Sequence, residues 1–257
     1  MIKITAAIIT KNEQRCIKRC LESLLWVDQI VVVDSFSTDQ TSEICQDANA
    51  PWASLMSFHQ RKWSGFNDQR TFCLEKATND WILVLDADEA CSPELISKLK
   101  EWKKTTPPHP AYKIRRIEYF LGKPIKHGIW NPSYQDRFFN KKGVYYKNEI
   151  HEYPVFPVLP QQIHEPILHD PTFNIDRFIT KMNQYTSIEA QDRYNQGQRT
   201  HLLKIFFAIP AMFYKNWIYY GAYKDGVHGV IISLLEGVSR FVRHVKMWQI
   251  QNKDLIK

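Results

Sequence analysis

Four short apolar runs alternate with segments of helical period over residues 4–87, and this alternation restricts the fold more than any other feature of the chain. "ITAAIIT" (4–10) reads as a buried strand. "NEQRCIKRCLESLLW" repeats apolar positions at 17, 21, 24 and 25, a helix. "QIVVVDS" is a second strand that delivers Asp34 at its end, and "SFSTDQTSEICQDA" opens the next helix with Ser37 and Gln40 at capping-box spacing. "WASLMS" supplies a third strand. Residues 66–77 form a helix with Phe66, Phe72, Cys73 and Ala77 inward, and "DWILVLDA" is the fourth strand. Pro93 opens a helix over 94–104 in its first turn. The alternation predicts a mostly parallel sheet with helices on both faces. Ligands on such sheets bind beyond the carboxyl ends of the strands, where Asp34 and Asp86 both stand.

The fourth strand ends in "DADEA", three carboxylates within four positions: Asp86, Asp88 and Glu89. Two close carboxylates repel unless a cation sits between them. A hard divalent ion shared with diphosphate oxygens would settle both charges, whereas two solvated acids at a strand end would need nothing. Asp34 can accept from a ribose hydroxyl or a base N–H, or it can serve a helix-capping loop with Ser37 and Asp39. No G-x-G-x-x-G follows the first strand and no G-x-x-x-x-G-K-[ST] occurs. That argues against a dinucleotide oxidoreductase or a P-loop enzyme and leaves phosphate to be neutralised by metal and side chains. In "NEIHEYP", His151 lies between Glu149 and Glu152, the residue types a general base needs near an attacking hydroxyl. His169, in "ILHDP", is either a metal ligand or a hydrogen-bonded core histidine.

"TTPPHP" (105–110) is a rigid connector, after which residues 111–170 change to short strands and loops rich in Tyr, Phe, Pro and His. Residues 174–196 read as a helix ended by Gly197. The tail is distinct. Residues 198–257 hold nine Lys and Arg against three acids, six of the chain's seven net positive charges, a balance suited to phosphate backbones or an anionic membrane face. "LLKIFFAIPAMFYKNWIYYG" (202–221) is apolar and aromatic but interrupted by Lys204, Pro210 and Lys215, too broken for a transmembrane span. Residues 227–248 carry apolar groups at a 3.6-residue period with Glu236, Arg240 and Arg243 on the other side. They predict a helix packed on the domain, or half of a hairpin lying in a membrane interface. The N-terminus reads as a first strand and not as a signal peptide. The five cysteines form no C-x-x-C or zinc-like grouping and read as structural residues of a reducing compartment.

Taken together, "TAAIITKNEQRCIKRCLESL", "DQIVVVDSFSTDQT" and "GFNDQRTFCLEKATNDWILVLDADE" resemble the inverting family 2 glycosyltransferases of GT-A fold. "RRIEYFLGKPIKHGIW", "YQDRFF", "NEIHE" and "ILHD" narrow the resemblance to the subgroup of lipopolysaccharide core β-1,4-glucosyltransferases. The resemblance implies an α/β fold of GT-A type over 1–197, a nucleotide-sugar half (1–104) and an acceptor half (111–197), followed by an amphipathic, membrane-associating helical extension (198–257). It implies that Thr10, Asn12, Glu13 and Asp34 lie at the nucleotide, Gln69 and Arg70 near the nucleotide-sugar, and Asp86 near ribose or metal-bound water. Asp88 would ligate Mn²⁺ or Mg²⁺ with His169 completing the site, and Arg137 would orient phosphate or acceptor. Glu152 would be the catalytic base, with Glu149 in reserve and Asp136 a third acid nearby. UDP-glucose would be the donor and an inner-core heptose of the lipid A–core glycolipid the acceptor. The enzyme would work in the cytoplasm, peripherally on the inner face of a Gram-negative inner membrane. One departure is Phe36, where the family commonly has a small residue: phenylalanine asks for φ below zero, and it either lines the base pocket or packs outward.

Three rivals remain open at the level of sequence. A glycosyltransferase using another UDP-sugar or a polyprenyl-phosphate acceptor shares every motif above. A nucleotidyltransferase needs a glycine- and lysine-rich nucleotide loop that "TKNEQRC" lacks. A nucleic-acid-binding protein would use the basic tail, but the tail's aromatic density exceeds what backbone tracking requires, so no nucleic-acid partner is expected.

Overall fold

The computed structural model describes residues 1–147, 153–170 and 175–253. In chain order the first elements are β1 (Ile4–Thr10), α1 (Ile17–Glu22), β2 (Gln29–Asp34), α2 (Thr41–Cys45), β3 (Met56–Gln60), α3 (Phe66–Lys76), β4 (Trp81–Asp86), β5 (Glu89–Cys91) and α4 (Pro93–Thr105). Then come β6 (Ala111–Phe120), β7 (Lys123–Pro124), β8 (Ser133–Asn140), β9 (Tyr145–Lys147), β10 (Tyr153–Val155) and β11 (Gln161–His169). The chain closes with helices α5 (Ile175–Asn195), α6 (Leu202–Phe206), α7 (Ala208–Tyr214) and α8 (Val227–Gln251). The residues fall into two compact units, Met1–Ile117 with Ser133–Thr172, and Glu118–Pro132 with Phe173–Lys257.

The main sheet of the first unit runs β3-β2-β1-β4-β8-β6-β11-β5. Its first four strands are parallel. Beyond them β8 pairs β4 antiparallel, β6 pairs β8 antiparallel and β11 pairs β5 antiparallel. The sheet is therefore mixed, and it curls strongly into a half-barrel, which corrects the expected mostly parallel GT-A sheet. The reason lies in the connections. A parallel neighbour needs a long crossover, usually a helix, and beyond β4 the one helix between described strands, α4, joins β5 to β6, which are not neighbours in the sheet. Between β6 and β8 the chain has only the two-residue β7, so the second half of the sequence adds its strands antiparallel.

The apolar runs are continuous because the parallel strands are buried on both faces. In β1, Ile4, Ala6 and Ile8 enter one core cluster, and Ala7 and Ile9 the other. β2 divides likewise into Ile30 and Val32 against Val31 and Val33, and β4 into Leu83 and Leu85 against Ile82 and Val84. Trp81 stacks on Phe138, ring centroids 5.1 Å apart, and fastens β8 to β4. All five cysteines are free and buried, and burial pushes the thiols of Cys45, Cys73 and Cys91 up to about 12, so they stay protonated.

Three local expectations change. The third strand runs over Met56–Gln60, since Ala53–Leu55 is a single 3₁₀ turn. Helix α3 turns Gln69, Arg70 and Cys73 inward while Phe66 is exposed: its inner face is polar because it carries groups to the strand ends. Ser37 does not cap α2, whose N-cap is Gln40 without a side-chain bond. Instead Asp39 accepts from Thr41 N at 3.0 Å.

In the second unit, Phe120, Ile125 and Ile232 form a small core. Buried Asn216 accepts from Ile129 N at 2.7 Å and donates to Ser233 Oγ at 2.9 Å. Asp225 accepts from the backbone N–H groups of Lys126 and His127 at 3.1 and 2.8 Å. The most buried residues of α8 include Gly229, Ile232, Ser233 and Gly237, whereas Val227 and Leu234 of the expected apolar face are exposed. Small residues win this seam because neighbouring backbone comes close. A Cβ on Gly229 would stand 1.9 Å from the carbonyl oxygen of Ala222. No described helix is long and apolar enough to cross a membrane. Gly229→Ala is expected to destabilise the protein by about 2–3 kcal/mol, through overpacking against a backbone that cannot yield. Urea unfolding measures this, with Val227→Ala as the control expected to leave the midpoint unchanged.

Candidate active site

The site is built where β1, β2, β4 and β5 end. Asp34, fully buried at the end of β2, accepts from Ser37 N (3.0 Å), Ser42 Oγ (3.0 Å) and Gln60 Nε2 (3.1 Å), and from Ser37 Oγ. Asp39 accepts from Thr41 and from Gln14 N at 3.2 Å. These two aspartates organise the loop after β2, and any contact of Asp34 with a base or ribose would be made in addition to those bonds. Asn12 donates its N–H to Ser37 Oγ at 2.8 Å and accepts from Thr38 N at 2.8 Å, and Glu13 N donates to Thr41 Oγ1 at 2.8 Å. The loops after β1 and β2 thus lock each other.

Phe36 sits in that loop with φ +56° and is 54% exposed. The expectation of φ below zero is corrected. Ser35 N is held by Thr10 O at 2.9 Å and Ser37 by Asp34, so both neighbours are fixed and Phe36 takes the left-handed conformation between them. That conformation costs a residue with a Cβ about 1–2 kcal/mol, and the ring stands outward. Close by, Thr10 Oγ1 and Gln69 Oε1 are buried polar atoms without a hydrogen-bond partner among the described residues, while Gln69 Nε2 donates to Lys62 O at 3.0 Å. Unsatisfied buried polar atoms are costly and rare, and a bound ligand is one way to satisfy them.

At the end of β4 a buried charge cluster takes shape. Asp86 Oδ1 accepts from Arg70 at 2.8 Å, and its Oδ2 accepts from Arg137. Arg137 also donates to Glu89 Oε1 at 2.7 Å, Arg116 reaches the same oxygen at 3.5 Å, and the other oxygen of Glu89 accepts from Asp86 N at 3.0 Å. Glu89 is fully buried. Burial alone would raise the pKa of Asp86, but Arg137 and Arg70 hold it well below the usual carboxylate range. The carboxylates in turn hold both arginines charged against the desolvation that opposes them. Arg70, Arg116 and Arg137 line a cleft of about 190 Å³ with Asp86, Asp136 and Tyr146. With Glu89 buried behind it, three guanidiniums meet three carboxylates, so the charges balance. Burial pushes the Tyr146 phenol up to about 12, and burial raises the pKa of Asp136 despite Lys113 and Arg137 nearby.

Next to this cleft, β11 pairs β5 with His169 opposite Glu89, which sets His169 Nε2 3.3 Å from Asp88 Oδ2. Arg19 fixes the turn by donating to Asp88 O at 2.9 Å and pairing with Asp170 at 2.8 Å. Two adjacent ligands of an octahedral ion with bonds of about 2.1 Å lie roughly 3 Å apart, so this oxygen and nitrogen are spaced as a pair of donors. No group of three or more His, Cys, Asp or Glu residues suited to a metal occurs among the described residues. A two-donor protein site fits an ion that takes its other ligands from a diphosphate and water, and carboxylate and water ligands suit Mn²⁺ or Mg²⁺.

Of the sequence-predicted residues, the fold gathers Thr10, Asn12, Glu13 and Asp34 at the tips of β1 and β2. It gathers Arg70, Asp86 and Arg137 in the cleft, and Asp88 and His169 beside it. Glu149, Glu152 and His151 lie outside the described residues. Sequence reasoning gave no role to Glu89, Arg116, Tyr146, Arg19 or Asp170. Glu89 was visible as the third acid of "DADE", but only its complete burial against two arginines shows what it does.

Breaking this cluster has an expected pH signature. Asp86→Asn is expected to cost about 3 kcal/mol at pH 7, the low end for removing one partner of a buried pair. The folded-state pKa of Asp86 is depressed, so its contribution is present above the unfolded value of about 3.9 and is lost as pH falls below it. The gap between wild type and variant, followed by urea unfolding from pH 7 to pH 3, should narrow only at the acid end. A constant gap would show that the charge of Asp86 is not what stabilises the cluster.

The family model described as Glycosyl transferase family 2 matches residues 5–166. The lipopolysaccharide core biosynthesis glycosyltransferase LpsC of Rhizobium meliloti is 26% identical over 96% of this chain and 93% of its own length. An uncharacterised glycosyltransferase of Rickettsia felis is 28% identical over 100% of this chain and 94% of its own. The crystal structure of Staphylococcus aureus TarS 1–349 aligns over 98% of this chain and 92% of its own, at 12% identity and a TM-score of 0.45, too distant to transfer a site. The family match takes in every strand from β1 to β5 and every described residue of the cleft, and the chain accordingly belongs to glycosyl transferase family 2, as a nucleotide-sugar-dependent glycosyltransferase.

Proposed function

We propose that this enzyme transfers a sugar from a uridine diphosphate sugar to a lipopolysaccharide-core acceptor, with inversion at the anomeric carbon. The observation that carries the reading is the pairing of Asp88 with His169 beside a cleft lined by three arginines, at strand ends where Thr10 Oγ1 and Gln69 Oε1 lack partners among the described residues. Guanidiniums suit diphosphate oxygens, and the buried polar atoms suit a nucleotide. The acceptor class draws support from LpsC, a lipopolysaccharide core biosynthesis glycosyltransferase by name. The donor is assigned at the level of a UDP-sugar. UDP-glucose transfer to an inner-core heptose in β-1,4 linkage is the narrowest form of the reading and rests on sequence resemblance alone.

Asp88 and His169 would hold a divalent cation, which supplies electrostatic stabilisation of the departing diphosphate when bound. Arg70 and Arg137 stay charged through Asp86 and Glu89, and place fixed positive charge where the diphosphate leaves. Asn12, Glu13 and Asp34 shape the nucleotide end. Glu152, with Glu149 in reserve, takes the proton from the acceptor hydroxyl. That oxygen bonds to the anomeric carbon as the bond to the diphosphate oxygen breaks, and a single displacement inverts the configuration. The basic, aromatic stretch from residue 198 onward serves to keep the enzyme on the glycolipid-bearing membrane face.

UDP release is the test, measured with UDP-glucose, UDP-galactose and UDP-N-acetylglucosamine, with and without lipid A–core acceptor and Mn²⁺. Acceptor-dependent release with one of these donors is expected, reduced by roughly two orders of magnitude in Asp88→Ala. Release with UDP-glucose would select the narrow form and release with another sugar the broader one. No acceptor-dependent release with any of the three would overturn the reading.

A further inference from the structure

The second unit contains a cavity of about 420 Å³ enclosed by the end of α5, by α6 and α7, and by α8. Arg193, Arg199, Lys204, Arg240 and Arg243 all line it. Of these only Arg243 has a carboxylate partner among the described residues, Glu189 at 2.6 Å. The others satisfy their N–H groups on neutral atoms. Arg193 donates to Gln198 Oε1 at 3.1 Å, Arg199 to Tyr194 O at 3.0 Å, Lys204 to Arg199 O at 3.0 Å, and Arg240 to Met212 Sδ at 3.8 Å. Among the described residues the buried Nε of Arg243 has no partner. Like charges gathered this way repel one another, and an anion is what would balance them. His244, on the same wall, reports the field: burial and the surrounding Arg243, Arg240, Lys204 and Arg193 hold its pKa at about 4, so it adds no charge at neutral pH.

Besides Gln198 and His201, the rest of the lining is apolar, with Leu203, Phe207 and Met247 its largest side chains. Beside it, α6 exposes Leu202 by 76%, Leu203 by 64% and Phe206 by 74%, large side chains that the fold leaves in solvent. Contiguous exposed apolar surface marks a place where something apolar sits. A free inorganic anion would use the cations and leave this rim unexplained, whereas a phosphate carried on acyl chains uses both.

We propose that this cavity binds the phosphomonoester of a membrane amphiphile, with the phosphate among Arg193, Arg199, Lys204, Arg240 and Arg243 and the chains along the apolar rim of α6. The proposal rests on the glycolipid reading only for the biological source of the phosphate. A phosphomonoester is preferred to a phosphodiester because a dianion balances more of the charge.

The experiment is co-sedimentation of the full chain with phosphatidylcholine vesicles containing phosphatidic acid, or containing phosphatidylglycerol at matched surface charge. The Lys204→Gln and Arg193→Gln/Lys204→Gln variants are compared, and folding is checked by circular dichroism. The single change removes an exposed lysine and keeps the test open if the double variant fails to fold. Tighter binding to phosphatidic acid is expected, with the preference reduced by about threefold in the single variant and about tenfold or more in the double one. Equal binding to both vesicle types, or an unchanged preference in the variants, would overturn the proposal. Displacement from the vesicles by glycerol 3-phosphate would do so as well, because it would assign the cavity to a soluble phosphate. Calorimetric titration of the same protein with UDP reports the nucleotide site separately. A protein that binds phosphatidic acid but not UDP would overturn the glycosyl-transfer reading and leave the cavity standing, and the reverse result would do the opposite.

Discussion

The carboxylate of Asp86 sits between Arg70 and Arg137, and the arrangement of the first unit depends on that contact. Each of these charges is costly to bury alone, and each is tolerable only because the others are in place. The cluster also fixes elements to one another. Arg70 comes from α3, Asp86 from β4, Glu89 from β5, Arg116 from β6 and Arg137 from β8, so one set of ion pairs fastens four strands and a helix around the cleft. It explains why the inner face of α3 is polar. That helix is held by Gln69 and Arg70 as much as by Cys73, and its phenylalanines lie outside or only partly buried.

The same economy governs the loops at the strand tips. Asp34 and Asp39 are used by the chain itself to hold Ser37, Ser42, Gln60 and Thr41, and this binds the loops after β1 and β2 into one body. The strained φ of Phe36 follows from that bonding. Non-glycine residues keep such a conformation only where the surroundings over-determine it, and here the hydrogen bonds on both sides do so. A rigid rim next to a charged cleft suits an enzyme that must hold a nucleotide still while a sugar leaves it.

The two units differ in how they use charge. In the first, cations and carboxylates alternate and nearly cancel inside the protein. In the second, Arg193, Arg199, Lys204 and Arg240 are held by neutral acceptors and have no carboxylate partner among the described residues. Buried charge of the first kind positions catalytic groups, and charge of the second kind recruits a partner.

Local sequence is enough to read the strands β1, β2 and β4 and the helices α4, α5 and α8, because apolar period is a local property. Ser92 caps α4 ahead of Pro93, accepting from Leu95 N as its spacing requires. It also placed Asp86 and Asp88 at a strand end, since a continuous apolar run that stops in acids has few other readings. The assembled fold set the direction of the later strands, because strand direction follows from connections and pairing partners and not from the composition of a strand. For the same reason it alone set His169 beside Asp88, through the register of β11 on β5, and Glu89 between Arg137 and Arg116. Long-range pairing of charges leaves no periodic trace in a sequence. Local propensity is written residue by residue, but the cost of burying a charge is settled only by what the fold brings to meet it.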